Sequence, residues 1–321
     1  MKVSAVAHPI QGLIKYHGLK NPVQRIPYHD SISVCIQALT TTTTVEPSEE
    51  LKIDEIVVNG KESEGKDRQR VETVLNKLKK LGEFRGRFKV VSENSLKEGK
   101  GLGFSASGFA ALGLAASKAL DLRLDEASLS EIVRLGAGSA ARSLAGGFAV
   151  WYANKSDRSF AEQLRAPEDI DLSMVVVPIC SDVKTDEAHA EVLSSPLFRA
   201  RLKNVQGLLE KMKLAIRRGD VATLGRLAEE DTLNLHAITM TGKSHMVLWE
   251  PDTIRIIKEV NQLREEGTPA WYSTDTGPSV FVNTLSRTSQ VILRRLHEIG
   301  FEKAFISKLG GKPFLCGRHL F

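Results

Sequence analysis

Long apolar runs are missing from this chain of 321 residues. A membrane-spanning helix needs about 20 consecutive apolar residues, whereas the apolar stretch 109–116 is followed at once by Ser117 and Lys118. Near the N-terminus, His8 and Pro9 come too early for the apolar core of a signal peptide. We therefore expect a cytoplasmic protein with no membrane partner.

Cysteine is scarce, with three residues in the whole chain. Cys35, Cys180 and Cys316 are widely separated, and neither a Cys-x-x-Cys pair nor a Cys/His cluster occurs. This spacing supports neither a metal site nor a disulfide framework, so the thiols are interpreted as small hydrophobic residues. The histidines also lack metal-ligand spacing and are interpreted as hydrogen-bonding residues of the fold; they include His8, His17, His29, His189 and His236.

Aromatic residues make up 6% of the chain, and no basic tract or base-stacking motif is present. Nucleic-acid-binding proteins usually combine such features, so nucleic acid is not an expected partner. The net charge of +5 nevertheless favours an anionic partner. A phosphorylated small molecule is an anionic partner of this kind.

Length and periodicity together predict an α+β protein of two domains. A chain of 321 residues suits two domains of about 150 residues each, and we place them at 1–165 and 166–321. The charged segment 154–171, which contains Pro167, is interpreted as the linker. A Rossmann domain is not expected, because no Gly-x-Gly-x-x-Gly follows a strand in the required context.

Alternation and helical spacing of apolar residues predict the individual elements. Helices are expected at 68–81, 108–120, 125–135, 195–218, 221–236, 251–266 and 289–299. Strands are expected at 31–37, 53–58, 87–91, 148–152, 174–179, 279–283 and 304–309. The threonine run 40–44 is interpreted as an edge strand.

Three segments carry groups that suit an anionic ligand, and each has two interpretations. The glycine-rich loop 101–108 opens a helix, where N–H groups can bind an anion, although its glycines could also serve close packing alone. Lys15 lies in an apolar segment and either neutralises a buried anion or extends to solvent. Arg142, within a run of small residues, either binds a carboxylate or phosphate through two hydrogen bonds or forms a structural ion pair.

The segment 272–280 holds a carboxylate among turn-forming residues. Asp275 is followed by Gly277 and Pro278, which allow a tight turn and the close approach of a ligand. Taken alone, Asp275 is either the cap of a turn or an active-site carboxylate.

Four blocks of the sequence resemble, in order, the diphosphomevalonate decarboxylase branch of the GHMP kinase superfamily. The blocks are Ile14-Lys15-Tyr16-x-Gly18, the loop 101–109, Gly138-Ser139-Ala140-Ala141-Arg142-Ser143-Leu144-x-Gly146-Gly147 and Asp275-Thr276-Gly277-Pro278. The resemblance covers nearly the whole chain and is closer to the archaeal-type phosphomevalonate decarboxylases than to the eukaryotic diphosphate enzymes. It implies a two-domain GHMP kinase-like fold, an active-site cleft between the domains, and a homodimer.

The resemblance also implies a reaction and the residues that carry it. Phosphate and carbon dioxide leave a phosphorylated mevalonate together, and an alkene remains. By resemblance, Asp275 is the essential decarboxylation carboxylate, Arg142 the clamp on the substrate carboxylate and Lys15 a cation near the leaving phosphate. The implied substrate-binding residues are Tyr16, Ser139, Ser105, Ser107 and Lys184.

One loop departs from the family pattern. The usual nucleotide loop has proline where Lys97 stands and a small hydroxyl residue where Phe104 stands. Because phosphoryl transfer depends on positioning, a benzyl group at that point argues against ATP as a cofactor. We therefore expect decarboxylation of mevalonate 3,5-bisphosphate to isopentenyl phosphate without a cofactor. The alternatives are a phosphomevalonate decarboxylase that uses ATP and Mg²⁺ through the degenerate loop of Gly101, Gly103 and Phe104, a kinase without decarboxylase activity, and a non-catalytic anion-binding protein.

Overall fold

The chain folds into groups of strands and helices, which a computed structural model describes over residues 1–96, 101–180 and 185–321. The helices are α1 (Gly65–Leu81), α2 (Phe104–Ala119), α3 (Glu126–Val133), α4 (Ala140–Ala145), α5 (Thr185–Glu191), α6 (Phe198–Arg218), α7 (Val221–Met240), α8 (Pro251–Glu265) and α9 (Ser289–Glu298). The strands are β1 (Val3–Ala7), β2 (Ile10–Ile14), β3 (Leu19–Asn21), β4 (Ile26–Pro27), β5 (Ser31–Ile36), β6 (Thr41–Ser48), β7 (Glu55–Val58), β8 (Lys61–Glu62), β9 (Arg87–Asn94), β10 (Phe148–Trp151), β11 (Ala161–Arg165), β12 (Ser173–Val177), β13 (Ala270–Thr274), β14 (Val280–Thr284), β15 (Phe305–Ser307), β16 (Leu309–Gly310) and β17 (Phe314–Cys316). Within these ranges, no helix has the length and apolar character needed to cross a bilayer.

Three larger sheets organise the protein. The strand order of the first is β17-β1-β6-β9-β7-β8, and α2 packs on it through buried alanines such as Ala111 and Ala115. Small side chains allow a helix to lie close to a sheet. The second sheet has the order β11-β10-β5-β16, with β2 also paired to β5. The third, β13-β14-β12-β15, belongs to the C-terminal half of the chain.

Helices α6 and α7 pack against both the second and the third sheet. Leu209 of α6 and Leu224 of α7 share one apolar core with Val34 of β5 and Phe281 of β14. The other face of the third sheet is covered by α8 and α9, and side chains alternate between the two faces along each strand. The predicted α+β class is thus confirmed.

The threonine run lies inside a sheet and not at its edge, so the edge-strand interpretation was wrong. Strand β6 pairs with β1 on one side and with β9 on the other. Its hydroxyl groups are satisfied there: Thr43 bonds Ser92 at 2.8 Å and Thr44 bonds Ser4 at 2.6 Å, both between side-chain oxygens. Because the β-branched side chains fit a pleated surface and their hydroxyls have partners, the run tolerates burial.

The chain crosses between its two halves more than once. Part of the presumed linker is β11, which pairs with β10 in the second sheet. After the third sheet is complete, β16 pairs with β5 and β17 pairs with β1. The division between 165 and 166 stays a prediction, but the segment from Leu309 onward extends sheets that the N-terminal half begins.

Candidate active site

A cavity of about 930 Å³ lies where the two halves of the chain meet. Its walls come from β2 and the residues after it, the turn between β3 and β4, the starts of α1 and α2, the turn before α4, helices α5 and α7, and the turn between β13 and β14. The predicted site residues that line this cavity are Lys15, Tyr16, Gly101, Gly103, Phe104, Ser105, Ser139, Arg142 and Asp275. Lys184 and Lys97 lie outside the described residues.

Asp275 follows β13 and points its carboxylate at the backbone of β2. Its Oδ1 and Oδ2 accept hydrogen bonds from the Gly12 N–H at 2.9 and 3.3 Å. A Cβ atom on Gly12 would stand 2.8 Å from the Asp275 Oδ1, so only glycine allows this approach. Burial raises the pKa of Asp275, while the positive charges of Lys15 and Arg142 act to lower it. Asp275 therefore bonds across the two halves of the chain, which a carboxylate that only caps its own turn does not do.

Lys15 is buried and held by residues of α7. Its Nζ donates to the Thr232 Oγ1 at 2.9 Å and lies 3.8 Å from the Asp231 Oδ2. Asp231 in turn accepts from the Lys15 backbone N–H at 2.8 Å and from Arg201 at 3.0 Å. Burial lowers the pKa of Lys15, and the charge of Asp231 opposes that change. The side chain does not extend to solvent, and its ammonium is fixed beside the cavity.

Arg142 is buried and forms no ion pair with the carboxylates that the structure describes. One guanidinium nitrogen donates to the Ser31 hydroxyl, and its Nε has no hydrogen-bond partner there. The guanidinium carbon lies 5.3 Å from the ring centre of Tyr16 and 5.8 Å from that of Trp151. Burial lowers the pKa of Arg142, although an arginine side chain keeps its charge in proteins. The aromatic rings stabilise the cation, but they do not replace the hydrogen bonds that the guanidinium can donate to a carboxylate.

Tyr16 and two histidines form the wall next to Arg142. The Tyr16 ring stacks on His189 with centres 4.8 Å apart, and His189 meets the edge of His17 at 4.7 Å. His17 Nε2 bonds the Thr276 hydroxyl at 3.1 Å, which joins this wall to the Asp275 turn. Burial lowers the pKa of His17 well below its usual value and that of His189 to about 4. Both histidines are neutral at pH 7.

Buried neutral histidines predict a loss of stability in acid. Burial also lowers the pKa of His29 to about 4 and that of His236 to about 3. In the unfolded chain a histidine titrates near pH 6.5, so below that pH the unfolded state binds more protons than the folded state. The free energy of unfolding is therefore at its full value above about pH 6.5 and falls as the pH drops toward 4. The loss is roughly 3 kcal/mol for each histidine with a folded pKa of about 4.

Urea unfolding at pH 7, 6, 5 and 4.5 measures this effect. We expect the unfolding free energy to fall steadily across the series, and His189→Gln to make that fall smaller. A free energy that stays constant between pH 7 and pH 5 contradicts the buried-histidine account.

The start of α2 forms another part of the cavity wall. Gly103 has a left-handed φ of 75°, and a Cβ there would stand 3.1 Å from the Ile10 carbonyl oxygen. Phe104 begins the helix, and its half-buried ring packs against the core between the second and third sheets while it lines the cavity. Within the described ranges, no group of three His, Cys, Asp or Glu side chains is arranged to hold a metal ion.

The predicted serines divide into two groups. Ser105 and Ser139 line the cavity. Ser107 is absent from the lining, because two residues along a helix turn a side chain by about 200°. Its buried hydroxyl donates to the Phe104 carbonyl at 3.1 Å and bonds the Thr41 hydroxyl at 2.7 Å. The geometry thus places Ser107 in the packing of α2 on β6, outside the cavity lining.

Several residues that complete the site have no clear signal in the sequence. Asp231 and Thr232 sit in a helical pattern far from Lys15, and Arg201 belongs to another helix. An acidic residue among apolar positions of α7 is the sole hint, since a buried carboxylate requires a partner. Arg25 also lines the cavity, yet in sequence it looks like an ordinary turn residue.

Two α+β halves that enclose a recessed lysine, arginine and aspartate define an enzyme-like small-molecule site of the GHMP kinase type. The chain belongs to the diphosphomevalonate decarboxylase family. The family model for the diphosphomevalonate decarboxylase-like N-terminal domain matches residues 7–161, and the model for the mevalonate 5-diphosphate decarboxylase C-terminal domain matches residues 184–309. Both matches confirm the family that the four sequence blocks predicted.

Individual relatives agree with that assignment. The chain is 39% identical over 304 residues to the phosphomevalonate decarboxylase of Haloferax volcanii, with 94% of each chain covered. It is 30% identical to the diphosphomevalonate decarboxylase of Schizosaccharomyces pombe, over 92% of this chain and 81% of the relative. Among solved structures, the mevalonate diphosphate decarboxylase of Staphylococcus aureus is 28% identical and superimposes with a TM-score of 0.93 over 98% of both chains. The enzyme from Enterococcus faecalis gives 30% identity and a TM-score of 0.91 over 98% of this chain and 99% of the other. The predicted GHMP kinase-like fold is confirmed.

Proposed function

We propose that this chain is a carboxy-lyase that decarboxylates a phosphorylated mevalonate. The observation that carries the proposal is the buried Arg142 guanidinium, which faces the same cavity as Asp275 and Lys15 and has unmade hydrogen bonds. A substrate carboxylate supplies the missing partner. Relatives named for this chemistry support the same function.

The chemistry divides among the three charged residues. Arg142 holds the substrate carboxylate at carbon 1 by paired, charge-assisted hydrogen bonds. When the bond from carbon 3 to its phosphorylated oxygen breaks, its electron pair leaves with phosphate, and the nearby Lys15 ammonium stabilises that charge. The electrons of the bond between carbons 1 and 2 then form the alkene between carbons 2 and 3, and carbon dioxide departs. The carboxylate group of Asp275 stabilises the positive charge that develops at carbon 3.

For the finer assignment, we propose that the substrate is mevalonate 3,5-bisphosphate and the product isopentenyl phosphate. The supporting observation is Phe104, whose ring borders the first turn of α2, where a GHMP nucleotide loop has a small hydroxyl residue. A substrate that already carries the 3-phosphate needs no nucleotide at that wall.

A second candidate is an ATP-dependent phosphomevalonate decarboxylase that gives the same organic product. The relative from Haloferax volcanii is a phosphomevalonate decarboxylase, and the solved enzyme from Enterococcus faecalis is described with ATP binding. In that case Asp275, whose pKa burial raises, acts as the base for the 3-hydroxyl group.

Two parallel reactions decide between the candidates. One contains mevalonate 3,5-bisphosphate without nucleotide, the other mevalonate 5-phosphate with ATP and Mg²⁺, and carbon dioxide, phosphate and ADP are measured in both. We expect carbon dioxide from the first reaction alone. Carbon dioxide with equimolar ADP from the second favours the ATP-dependent candidate, and ADP with a 3-phosphorylated product but no carbon dioxide favours a kinase. No turnover in either reaction overturns both candidates.

A further inference from the structure

Helix α7 carries two polar side chains, Thr232 and His236, on the face that packs against β13. They lie one helical turn apart, because side chains at positions i and i+4 are neighbours on a helix. Both are buried, and neither lines the cavity. Thr232 holds Lys15, whereas the proposed chemistry gives His236 no role. The hydrogen bonds of these two side chains show how α7 acts on the site.

Thr232 links Lys15 to the strand that precedes Asp275. Its hydroxyl donates to the Ala228 carbonyl at 2.7 Å, so its lone pairs remain to accept other hydrogen bonds. They accept from the Lys15 ammonium at 2.9 Å and from the Thr274 backbone N–H at 3.4 Å. One oxygen atom of α7 thus contacts both the buried ammonium and the last residue of β13.

His236 bonds the same residue of β13 through its side chain. The His236 Nε2 lies 2.7 Å from the Thr274 Oγ1, which also accepts the Trp249 indole N–H at 3.1 Å. An indole N–H can only donate, so the proton of the Thr274 hydroxyl still needs an acceptor. Among the described residues, His236 Nε2 is the acceptor in reach. The Thr274 hydroxyl therefore donates to Nε2, and the ring carries its own proton on Nδ1.

The His236 ring is neutral at pH 7 and lies against the Asp275 backbone. Burial, with a smaller contribution from the positive charge of Lys15, lowers the pKa of His236 to about 3. The Asp275 backbone acts to raise that pKa, and since an acceptor is what favours a protonated ring, its carbonyl faces His236. Within the described residues, Nδ1 makes no hydrogen bond of normal geometry. The acceptor Nε2 is therefore available to Thr274 throughout the neutral range.

Asp275 depends on such contacts, because it belongs to no strand. Strand β13 ends at Thr274, and β14 begins at Val280. On the side of β2, the Asp275 carboxylate accepts the Gly12 N–H at 2.9 Å. On the side of α7, the adjoining residue Thr274 is fixed by the His236 ring. The direction of the carboxylate is set between these two contacts.

We propose that His236 is a positioning residue for Asp275. The inference rests on the proposed function. Through the Thr274 hydroxyl, His236 fixes the end of β13, and Thr232 fixes Lys15 one helical turn away. Because both side chains belong to one rigid helix, α7 sets the Asp275 carboxylate in a constant position relative to the Lys15 ammonium.

The first test replaces His236 and measures kcat and KM for carbon dioxide release. We expect His236→Leu to lower kcat by about 10- to 100-fold, since a misplacement of about 1 Å in an active site has an effect of that order. KM is expected to change by less than about threefold, because His236 does not line the cavity. His236→Gln keeps an acceptor for the Thr274 hydroxyl and is expected to recover most of kcat.

His29→Leu is the matched control. His29 is also buried, with a pKa lowered to about 4, and its Nδ1 bonds the Asp30 carbonyl at 2.6 Å. It does not line the cavity. We expect that variant to keep its kcat, even where thermal unfolding shows a loss of stability as large as that of His236→Leu.

The second test removes the same hydrogen bond from its other partner. Thr274→Val keeps the shape of the side chain and is expected to lower kcat as His236→Leu does, while Thr274→Ser is expected to restore it. The double variant is expected to fall no further than either single variant, because both changes remove one bond. Thr43→Val is the control, since it removes a buried strand hydroxyl that bonds Ser92 at 2.8 Å outside the cavity.

The Asp275→Asn background separates positioning from support of the fold. If His236 acts through the Asp275 carboxylate, its loss has little further effect once that carboxylate is gone. We expect His236→Leu to lower the residual kcat of Asp275→Asn by less than about threefold. A second full drop in that background shows that His236 does not act through Asp275, and it overturns the proposal.

The Gly12 amide reports the position of Asp275 without any turnover. Its N–H donates to the Asp275 carboxylate, so its proton resonance in an NMR spectrum depends on where that carboxylate lies. We expect His236→Leu and Thr274→Val to shift the Gly12 resonance and His29→Leu to leave it in place. Thr274→Val is the smaller change and decides the question where His236→Leu does not fold.

The outcomes separate this inference from the proposed function. If wild-type protein releases no carbon dioxide from any phosphorylated mevalonate while Thr274→Val still shifts the Gly12 resonance, the proposed function fails and the placement of Asp275 by α7 stands. If the Gly12 resonance stays in place in both variants, His236 does not position Asp275, whatever its effect on kcat. Thermal unfolding of each variant shows that the compared proteins are folded.

Discussion

Replacing Asp275 by asparagine is expected to lower kcat for carbon dioxide release by about 10²- to 10⁴-fold, the range typical of a positioned charged or proton-transferring group. The amide oxygen can still accept the hydrogen bond from the Gly12 N–H, so the fold and the cavity keep their shape. In the proposed mechanism, the variant loses the negative charge that stabilises carbon 3. The measurement is the rate of carbon dioxide release at saturating substrate.

Asp30→Asn is the matched control for this variant. Asp30 is another aspartate whose pKa burial raises, and its Oδ1 also accepts one backbone hydrogen bond, from Ala153 at 2.8 Å. Asp30 does not line the cavity, so its variant is expected to keep kcat close to wild type. If Asp275→Asn retains more than a tenth of the wild-type kcat, Asp275 is not the decarboxylation carboxylate.

Replacing Arg142 by glutamine is expected to lower kcat/KM by about 30- to 5000-fold. A substrate carboxylate that is buried without its charged partner costs about 2–5 kcal/mol, which corresponds to that range. Because the guanidinium makes no ion pair within the described part of the chain, stability depends on it less than activity does. Steady-state kinetics and thermal unfolding of the same preparation measure the two effects together.

Arg264→Lys controls for the loss of a partly buried guanidinium. Arg264 bonds Glu229 and the Ala270 carbonyl, each at 2.8 Å, at the end of β13 away from Asp275. We expect that variant to keep its kcat/KM. An Arg142→Gln protein that is destabilised yet fully active when folded would mean that Arg142 serves the fold and not the substrate.

Local patterns in the sequence left a structural and a functional interpretation open for each of the three candidate reactive side chains. Asp275, Arg142 and Lys15 each stand among small, apolar or turn-forming residues, and the family resemblance favoured the functional interpretation. Their meeting in one cavity could not be predicted from spacing alone. It follows from the pairing of β2 with β5 and from the docking of α7 against both β2 and β13.

The residues that hold Lys15 show why the remainder of the site was not predicted. Asp231 contacts a residue 216 positions away, and the sequence contains no signal for a pairing of that length. The run of β-branched threonines was interpreted as an edge strand, and nothing in its own sequence shows which strands lie beside it. Its hydroxyl groups bond Ser4 and Ser92, which belong to other strands. These partners become known when the sheet is assembled and not from the local sequence. Ser107 matched a family motif, but the rotation of α2 turns it toward Thr41.

The stoichiometry of a single reaction tests the central claim most directly. Mevalonate 3,5-bisphosphate labelled at carbon 1 is incubated with the wild-type protein, and carbon dioxide, inorganic phosphate and isopentenyl phosphate are quantified. If Arg142, Lys15 and Asp275 act as described, the three products form in equal amounts and the label is recovered entirely in carbon dioxide. Release of phosphate while the label stays in the organic product would contradict the account, because carbon 3 would then have lost its phosphate without cleavage of the bond between carbons 1 and 2.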